Sequence, residues 1–126
     1  MTALLKTPLA ERVIRCAIDV HRALGPGLLE SAYDKCLAYE LTANGISFKH
    51  QFAVPVAYRS VKIECGYRAD FLIDDSLLLE LKAVEKVLPI HQAQLLTYLK
   101  LLGIKQGLLI NFNVTKLVDG LQSFLR

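Results

Sequence analysis

Two acidic residues and a lysine in the middle of the chain have the types and spacing for metal-assisted hydrolysis: Asp70, then Glu80 and Lys82 two positions apart. Side chains alternate faces along a strand, so Glu80 and Lys82 share one face of the segment Leu77-Leu78-Leu79-Glu80-Leu81-Lys82, and Leu79, Leu81 and Ala83 share the other. In the run before it, Arg68, Asp70 and Leu72 alternate with Tyr67, Ala69, Phe71 and Ile73. If Asp74-Asp75-Ser76 forms a three-residue loop, Ile73 pairs with Leu77 and Asp70 falls across from Glu80; a two-residue loop would pair Asp70 with Leu79 and send Glu80 to the far side. With the odd loop, two carboxylates and an ammonium meet in apolar surroundings. Adjacent carboxylates repel and are costly to bury. A divalent cation resolves the repulsion, and hard oxygen ligands suit magnesium or manganese, with waters and a substrate phosphate completing the octahedron. Such a metal lowers the pKa of a bound water and neutralises charge on the phosphate, and Lys82 would orient or help deprotonate the attacking water and stabilise the transition state.

The competing reading is a solvated strand edge with Asp70 in a surface ion pair worth little. An Asp followed some ten residues later by Glu-x-Lys arises by chance in many chains of this length, since charged residues make up roughly a quarter of ordinary sequences. The spacing alone favours that reading.

The elements that would position these residues are legible from periodicity. Leu9 to Leu24 reads as a helix, with Leu9, Val13, Ile14, Ala17, Val20 and Leu24 at spacings of three and four and charged residues between them. Gly25-Pro26-Gly27 breaks it, a second helix runs from about Leu28 to Asn44, and Gly45 stops it. Strand patterns follow at Phe52, Val54 and Val56, with Pro55 marking an edge or a strand end, then a turn at Arg59-Ser60, an alternating run Val61, Ile63, Cys65, and the hairpin described above. Pro89 suits the first turn of a third helix that runs to about Leu102 and stops at Gly103, and Gly107 to Phe112 reads as a buried strand. The tail, Leu117 to Leu125, fits either a short helix or a strand. The order predicts a mixed α/β fold, with a central mixed sheet that carries an antiparallel meander and is flanked by helices; the Glu80 strand and the Gly107 strand are parallel across a right-handed helical crossover.

Several blocks, in order, resemble the GxxExxY family. They are Gly27-Leu28-Leu29-Glu30-Ser31-Ala32-Tyr33, then Gly66-Tyr67-Arg68-Ala69-Asp70-Phe71, then Leu79-Glu80-Leu81-Lys82-Ala83, Gln94 to Tyr98, and Leu109-Ile110-Asn111-Phe112. Each block is weak alone and their joint order, spanning about Val13 to Phe112, is specific. That family is assigned to the PD-(D/E)xK nuclease-like superfamily, which implies a restriction-endonuclease-like core and a magnesium- or manganese-dependent nuclease acting on nucleic acid, DNA first. On this resemblance Asp70, Glu80 and Lys82 form the catalytic core, with Asp70 and Glu80 as metal ligands; the usual Pro before the Asp is Ala69 here. Glu30 matches the signature Glu and would join the metal, although a Glu in a first helical turn is also favoured by the helix dipole alone. Gln94 and Tyr98, four apart on one helix face, resemble a Gln-x-x-x-Tyr motif that would hold substrate or order Lys82, and they read equally well as ordinary helix residues. Tyr33 reads as a core residue and His91 as a structural one.

Composition narrows the classes. A chain of 126 residues fits one domain, residues 1–126. Hydrophobic residues are 53% and charged residues 21%, which excludes a disordered chain and leaves apolar surface for self-association, as a homodimer or larger homo-oligomer. No apolar run approaches the roughly 20 residues a membrane span needs, and the opening MTALLKTPLAERVIR lacks the form of a signal peptide. Cys16, Cys36 and Cys65, odd in number and without CxxC spacing, argue against a disulfide framework or a zinc site and fit free thiols in a reducing cytoplasm. A net charge of +3 permits a polyanionic partner without announcing one, and no base-reading motif is present. The intact Asp, Glu and Lys favour an enzyme over the alternative, a catalytically silent nuclease-fold module that binds nucleic acid or regulates; the small size, which leaves little surface to grip a duplex, favours the module or a partner-dependent enzyme.

Overall fold

The computed structural model describes residues 7–126, so the first six residues of the opening segment lie outside the described residues. Helix α1 spans Pro8–Leu24, with the Thr7 hydroxyl accepting the Ala10 N–H at 3.1 Å as its N-cap. It ends at Gly25, whose φ of 68° a side chain would resist. Helix α2 spans Glu30–Ala43. Strand β1 (Phe48–Ala53) is followed by a short ribbon, β2 (Val56–Tyr58) and β3 (Val61–Ile63), joined at Arg59-Ser60. Strands β4 (Arg68–Ile73) and β5 (Leu77–Lys82) form the hairpin; then come α3 (Pro89–Leu102), β6 (Gln106–Asn111), a 3-10 turn at Leu117–Gly120 and β7 (Leu121–Leu125). Among the described residues, no helix is long and apolar enough to cross a membrane.

The main sheet has the order β1-β4-β5-β6-β7, with β5 and β6 parallel and every other neighbour antiparallel. The mixed sheet and the parallel crossover through α3 are therefore as expected. The meander differs. Pro55 has no N–H to give a ladder, so the Phe52–Val56 run is cut in two. The part before it belongs to an edge strand that starts earlier, at Phe48, and the part after it opens the separate β2–β3 ribbon. The ambiguous tail holds both alternatives in succession, a 3-10 turn and then a strand.

Helices cover both faces of the sheet. Val13, Ala17 and Val20 of α1 and Tyr33, Leu37 and Leu41 of α2 pack with Phe71, Leu79, Leu81, Leu108 and Ile110. Leu95, Tyr98 and Leu99 of α3 pack with Ala69, Leu78 and Leu109 on the opposite face. Alternation along β5 and β6 thus sorts residues between the two cores as strand geometry requires. The loop that fixes the hairpin has three residues, and Ile73 pairs with Leu77. Asp74 and Asp75 take φ of 50° and 52°, the left-handed turn conformation that Asp tolerates, and the Ser76 N–H closes the turn on the Ile73 carbonyl at 2.9 Å.

Candidate active site

The β4–β5 ladder pairs Ile73 with Leu77, Leu72 with Leu78 and Phe71 with Leu79, and there it stops. One step further, where Asp70 would pair with Glu80, the strands part. Strand β5 stays with β6, pairing Glu80 with Leu109 and Lys82 with Asn111, while β4 continues along β1. The two carboxyl groups occupy the fork. Asp70 Oδ2 accepts the Leu81 N–H at 2.7 Å, and Glu80 Oε1 accepts the Asp70 N–H at 3.3 Å. Each side chain takes up a backbone donor at the point where the ladder ends, which is how a sheet can open inside a core without orphaned amides.

Alternation of faces changes at this point. Ala69 packs against α3 whereas Phe71, two residues on, packs on the α1/α2 side, so the simple parity expected for Tyr67 to Ile73 holds only beyond Asp70. Strand β1 switches with it: Phe48 belongs to the α1/α2 core and Phe52 to the α3 core. The residue between the switched halves is Gln51, at φ 51°, opposite Asp70 in the register set by His50↔Phe71 and Phe52↔Ala69. A left-handed glutamine in a strand is strained, and such strain gathers at functional sites.

The fork is acidic and dry. Asp70 is 9% exposed and Glu80 6%. Burial, the Asp70 charge and a hydrogen bond shared with Asp70 push the Glu80 carboxyl up to about 9, against the pull of the Asp70 N–H and Lys82. Glu80 is thus protonated at neutral pH when no cation is bound. Glu30, the first residue of α2, faces the same charges: burial and Asp70 raise its pKa, and Lys82 opposes them. Lys82 is half-buried at the end of β5 and, among the described residues, makes no ion pair within 4 Å. Its strand end is clamped by the buried Asn111, which accepts the Val84 N–H at 3.1 Å and donates to the Val84 carbonyl at 2.9 Å. On the other side stands Tyr98, whose pKa is raised by burial and then by Glu80, Tyr67 and Asp70. Gln94 donates to its hydroxyl at 3.4 Å. All six expected residues, Glu30, Asp70, Glu80, Lys82, Gln94 and Tyr98, therefore surround one location.

Two expected structural residues are structural. Tyr33 is fully buried, stacks on Phe112 with ring centroids 4.5 Å apart, and donates its hydroxyl to the Gly25 carbonyl at 2.6 Å, bracing the loop that delivers Glu30. His91 Nδ1 accepts the Leu88 N–H at the start of α3.

Sequence reasoning missed a polar chain on the α2 side. Gln51 Nε2 donates to Asp70 Oδ1 at 3.3 Å and to Asp34 Oδ2 at 3.0 Å, and His50 Nε2 lies 2.6 Å from Asp34 Oδ1. Asp34 had a signal, since it lies four residues after Glu30 and so on the same helix face. Gln51 and His50 had none without the β1–β4 register.

The model of the PD-(D/E)XK nuclease superfamily matches residues 7–124. The chain belongs to that superfamily. No curated protein and no solved structure matches it. PD-(D/E)XK nucleases generally use divalent metals, and the order Asp70, then Glu80-x-Lys82, is the one the superfamily name spells, with Ala69 in place of its Pro. The donor set here fits a hard cation. Among the described residues no three His, Cys, Asp or Glu side chains gather as a closed ligand set. Two buried carboxyls side by side are instead a partial set, and magnesium favours one or two carboxylates with water and phosphate completing its shell. Glu30 stands in electrostatic range of this pair without closing a three-ligand cluster.

Proposed function

We propose that this protein, within the PD-(D/E)XK superfamily, is a GxxExxY-type nuclease dependent on magnesium or manganese that hydrolyses phosphodiester bonds in nucleic acid, DNA in the first instance, through a single domain of residues 1–126. The observation that carries the reading is the fork: two buried carboxyls, each accepting a backbone N–H from the opposite strand, with a lysine two residues from one of them and no ion-pair partner for it among the described residues. A divalent cation bound by Asp70 and Glu80 would supply charge neutralisation at the phosphate and a more acidic water.

The chain's own residues do the rest. Glu80, protonated in the absence of a cation, would have to release that proton to serve as a ligand. Lys82 holds the attacking water and stabilises negative charge on the phosphate oxygens. Glu30 would add a carboxylate from α2, within electrostatic range of Asp70 and Lys82. Asn111 keeps the β5 end in place, and Gln51 holds Asp70 from the β1 side. Gln94 and Tyr98 flank the substrate path. Exposed apolar side chains such as Leu29, Val118 and Leu125 support self-association of so small an enzyme.

The test is cleavage of supercoiled, linear and single-stranded DNA and of RNA in magnesium, manganese or EDTA, with identically purified Asp70→Ala and Lys82→Ala alongside. The reading expects metal-dependent cleavage that both variants lose. Equal activity in wild type and variants is contamination, and no activity on any substrate moves the assignment to a binding module.

A further inference from the structure

Next to the fork lies a cavity of about 540 Å3, roofed by α3 on one side and by the approach to β4 and the β2–β3 ribbon on the other. Lys82 belongs to its lining, together with Tyr98, Gln94, Tyr67, Ile90 and Val56. A molecule in this cavity therefore touches the same lysine that serves the carboxyl pair. The lining carries this one cation and no carboxylate, in contrast to the acidic fork beside it. Two tyrosines form its aromatic wall. Their ring centroids are 6.3 Å apart at an interplanar angle of 58°, so neither ring is stacked on the other, and Tyr67 is 47% exposed. A half-exposed aromatic face at the mouth of an apolar cavity is unspent contact surface. Polar groups at the rim are few: Thr97, Gln94, which among the described residues makes one long hydrogen bond, to Tyr98, and His91, whose Nδ1 accepts the Leu88 N–H.

Resting on the nuclease reading above, we propose that this cavity receives an unpaired nucleobase of the substrate, stacked on Tyr67, while the adjoining phosphate lies at Lys82. The site then takes single-stranded or frayed nucleic acid in preference to intact duplex. The volume falls within the roughly 300–1,000 Å3 of small-ligand pockets, enough for one nucleoside, whereas bases held in a duplex stack present no free face to enter it. The charge pattern fits the same occupant: a neutral aromatic ring in the apolar part, an anion at the lysine. Stacking on an aromatic side chain is tolerant of base identity, which agrees with a chain that carries no base-reading motif.

The test is binding, measured apart from cleavage. Fluorescence anisotropy of labelled oligothymidylate and of a blunt duplex of the same length is followed in EDTA, for wild type, Tyr67→Ala, Tyr67→Phe and a control at a distant exposed tyrosine, Tyr39→Ala. Wild type is expected to bind the single strand more tightly than the duplex. Tyr67→Ala should weaken single-strand binding roughly tenfold, from the usual worth of one base–aromatic stack, and leave duplex binding and the melting temperature unchanged. Tyr67→Phe and Tyr39→Ala should bind as wild type does. An oligonucleotide with abasic positions should bind wild type as weakly as the intact strand binds Tyr67→Ala, with no further loss when the two are combined. Full-strength binding by Tyr67→Ala, equal affinity for single strand and duplex, or a dimer that Tyr67→Ala dissociates in sedimentation would each overturn the proposal, the last because it makes the face a contact with a second copy. Tyr67-dependent binding with no cleavage in metal leaves the pocket standing and sinks the nuclease reading; metal-dependent cleavage with Tyr67-independent binding does the reverse.

Discussion

Replacing Glu80 with Gln should make the metal-free protein more stable above neutral pH, and the size of the effect follows from the fork. The Glu80 carboxyl titrates near 4.5 in an unfolded chain and near 9 in the fold, so between those values the native state holds a proton that the unfolded state has released. A group with a raised folded pKa contributes stability that is fully present below the unfolded pKa and is lost as pH rises through the folded one. The slope is at most about 1.4 kcal/mol per pH unit. From pH 6 to pH 8 the loss is therefore about 2.7 kcal/mol at most. Unfolding entropy near about 2.1 cal/mol/K per residue gives about 0.26 kcal/mol/K for a chain of 126 residues. The wild-type melting temperature in EDTA should then fall by up to about 10 °C over those two units. In Glu80→Gln the amide mimics the protonated carboxyl and can still donate to Asp70, so this component vanishes. Every other ionisable group is common to the two proteins and cancels in the comparison.

Thermal melts of the two proteins in EDTA at half-unit steps from pH 5.5 to 8.5 check this. The expected outcome is a gap between the curves that widens with pH in favour of the variant. Parallel curves would show that Glu80 is ionised in the metal-free fold and would sink the account of the fork. Magnesium adds a second signature. A cation must displace the proton, so its stabilisation of wild type should be larger at pH 8 than at pH 6 and absent in Glu80→Gln.

Three further outcomes follow from the site and its supports. Lys82→Met should fold with an unchanged or higher melting temperature while cleavage falls on the order of 10²–10³-fold, as for loss of one group that stabilises developing charge; a variant that cleaves normally removes Lys82 from the chemistry. Leu79→Ala, in a fully buried position, should lose about 2–5 kcal/mol in urea unfolding, and a loss under about 1 kcal/mol would contradict the packing of the α1/α2 core. Gly120→Ala would set a Cβ 2.1 Å from the Asn111 carbonyl oxygen, which is backbone and cannot swing away, so it should lose at least about 1–3 kcal/mol by thermal melting; wild-type stability there would mean that the 3-10 turn does not press on β6 as described.

The readings from sequence succeeded where one local rule decided the outcome. Gly103 at φ 68° ends α3 because only a residue content in the left-handed region closes a helix that way, and the Pro89 start needs no tertiary information. The hairpin register depended on one integer, the loop length, which the sequence left open between two and three residues and the structure sets at three. The fork itself was not legible. Parity treats a strand as straight, and β4 is not: it changes faces at Asp70 because β1, its partner, turns at Gln51. That turn depends on contacts between residues sixteen or more positions apart, Gln51 with Asp70 and Asp34 with His50 among them, and no local pattern in Phe48-Lys49-His50-Gln51-Phe52 marks it. For the same reason Asp34 was within reach by its spacing from Glu30, whereas Gln51 was not.

A sheet that parts inside a protein exposes backbone amides to a medium that cannot solvate them, and the residues that cap those amides must be acceptors. In this chain the acceptors are carboxyls. The isosteric amides, asparagine at 70 and glutamine at 80, would offer the same acceptors to the Asp70 and Leu81 N–H groups and bring no charge into the core, so hydrogen bonding alone does not account for the choice. The carboxyl pair makes the metal-free state carry one more proton and less stability at neutral pH than an amide pair would. The sheet parts between β4 and β5, two residues before Lys82 and beside the first turn of α2 that carries Glu30. Capping an opened ladder explains why acceptors are there; the proposed cation and anionic substrate would account for acceptors that are acids with a lysine beside them.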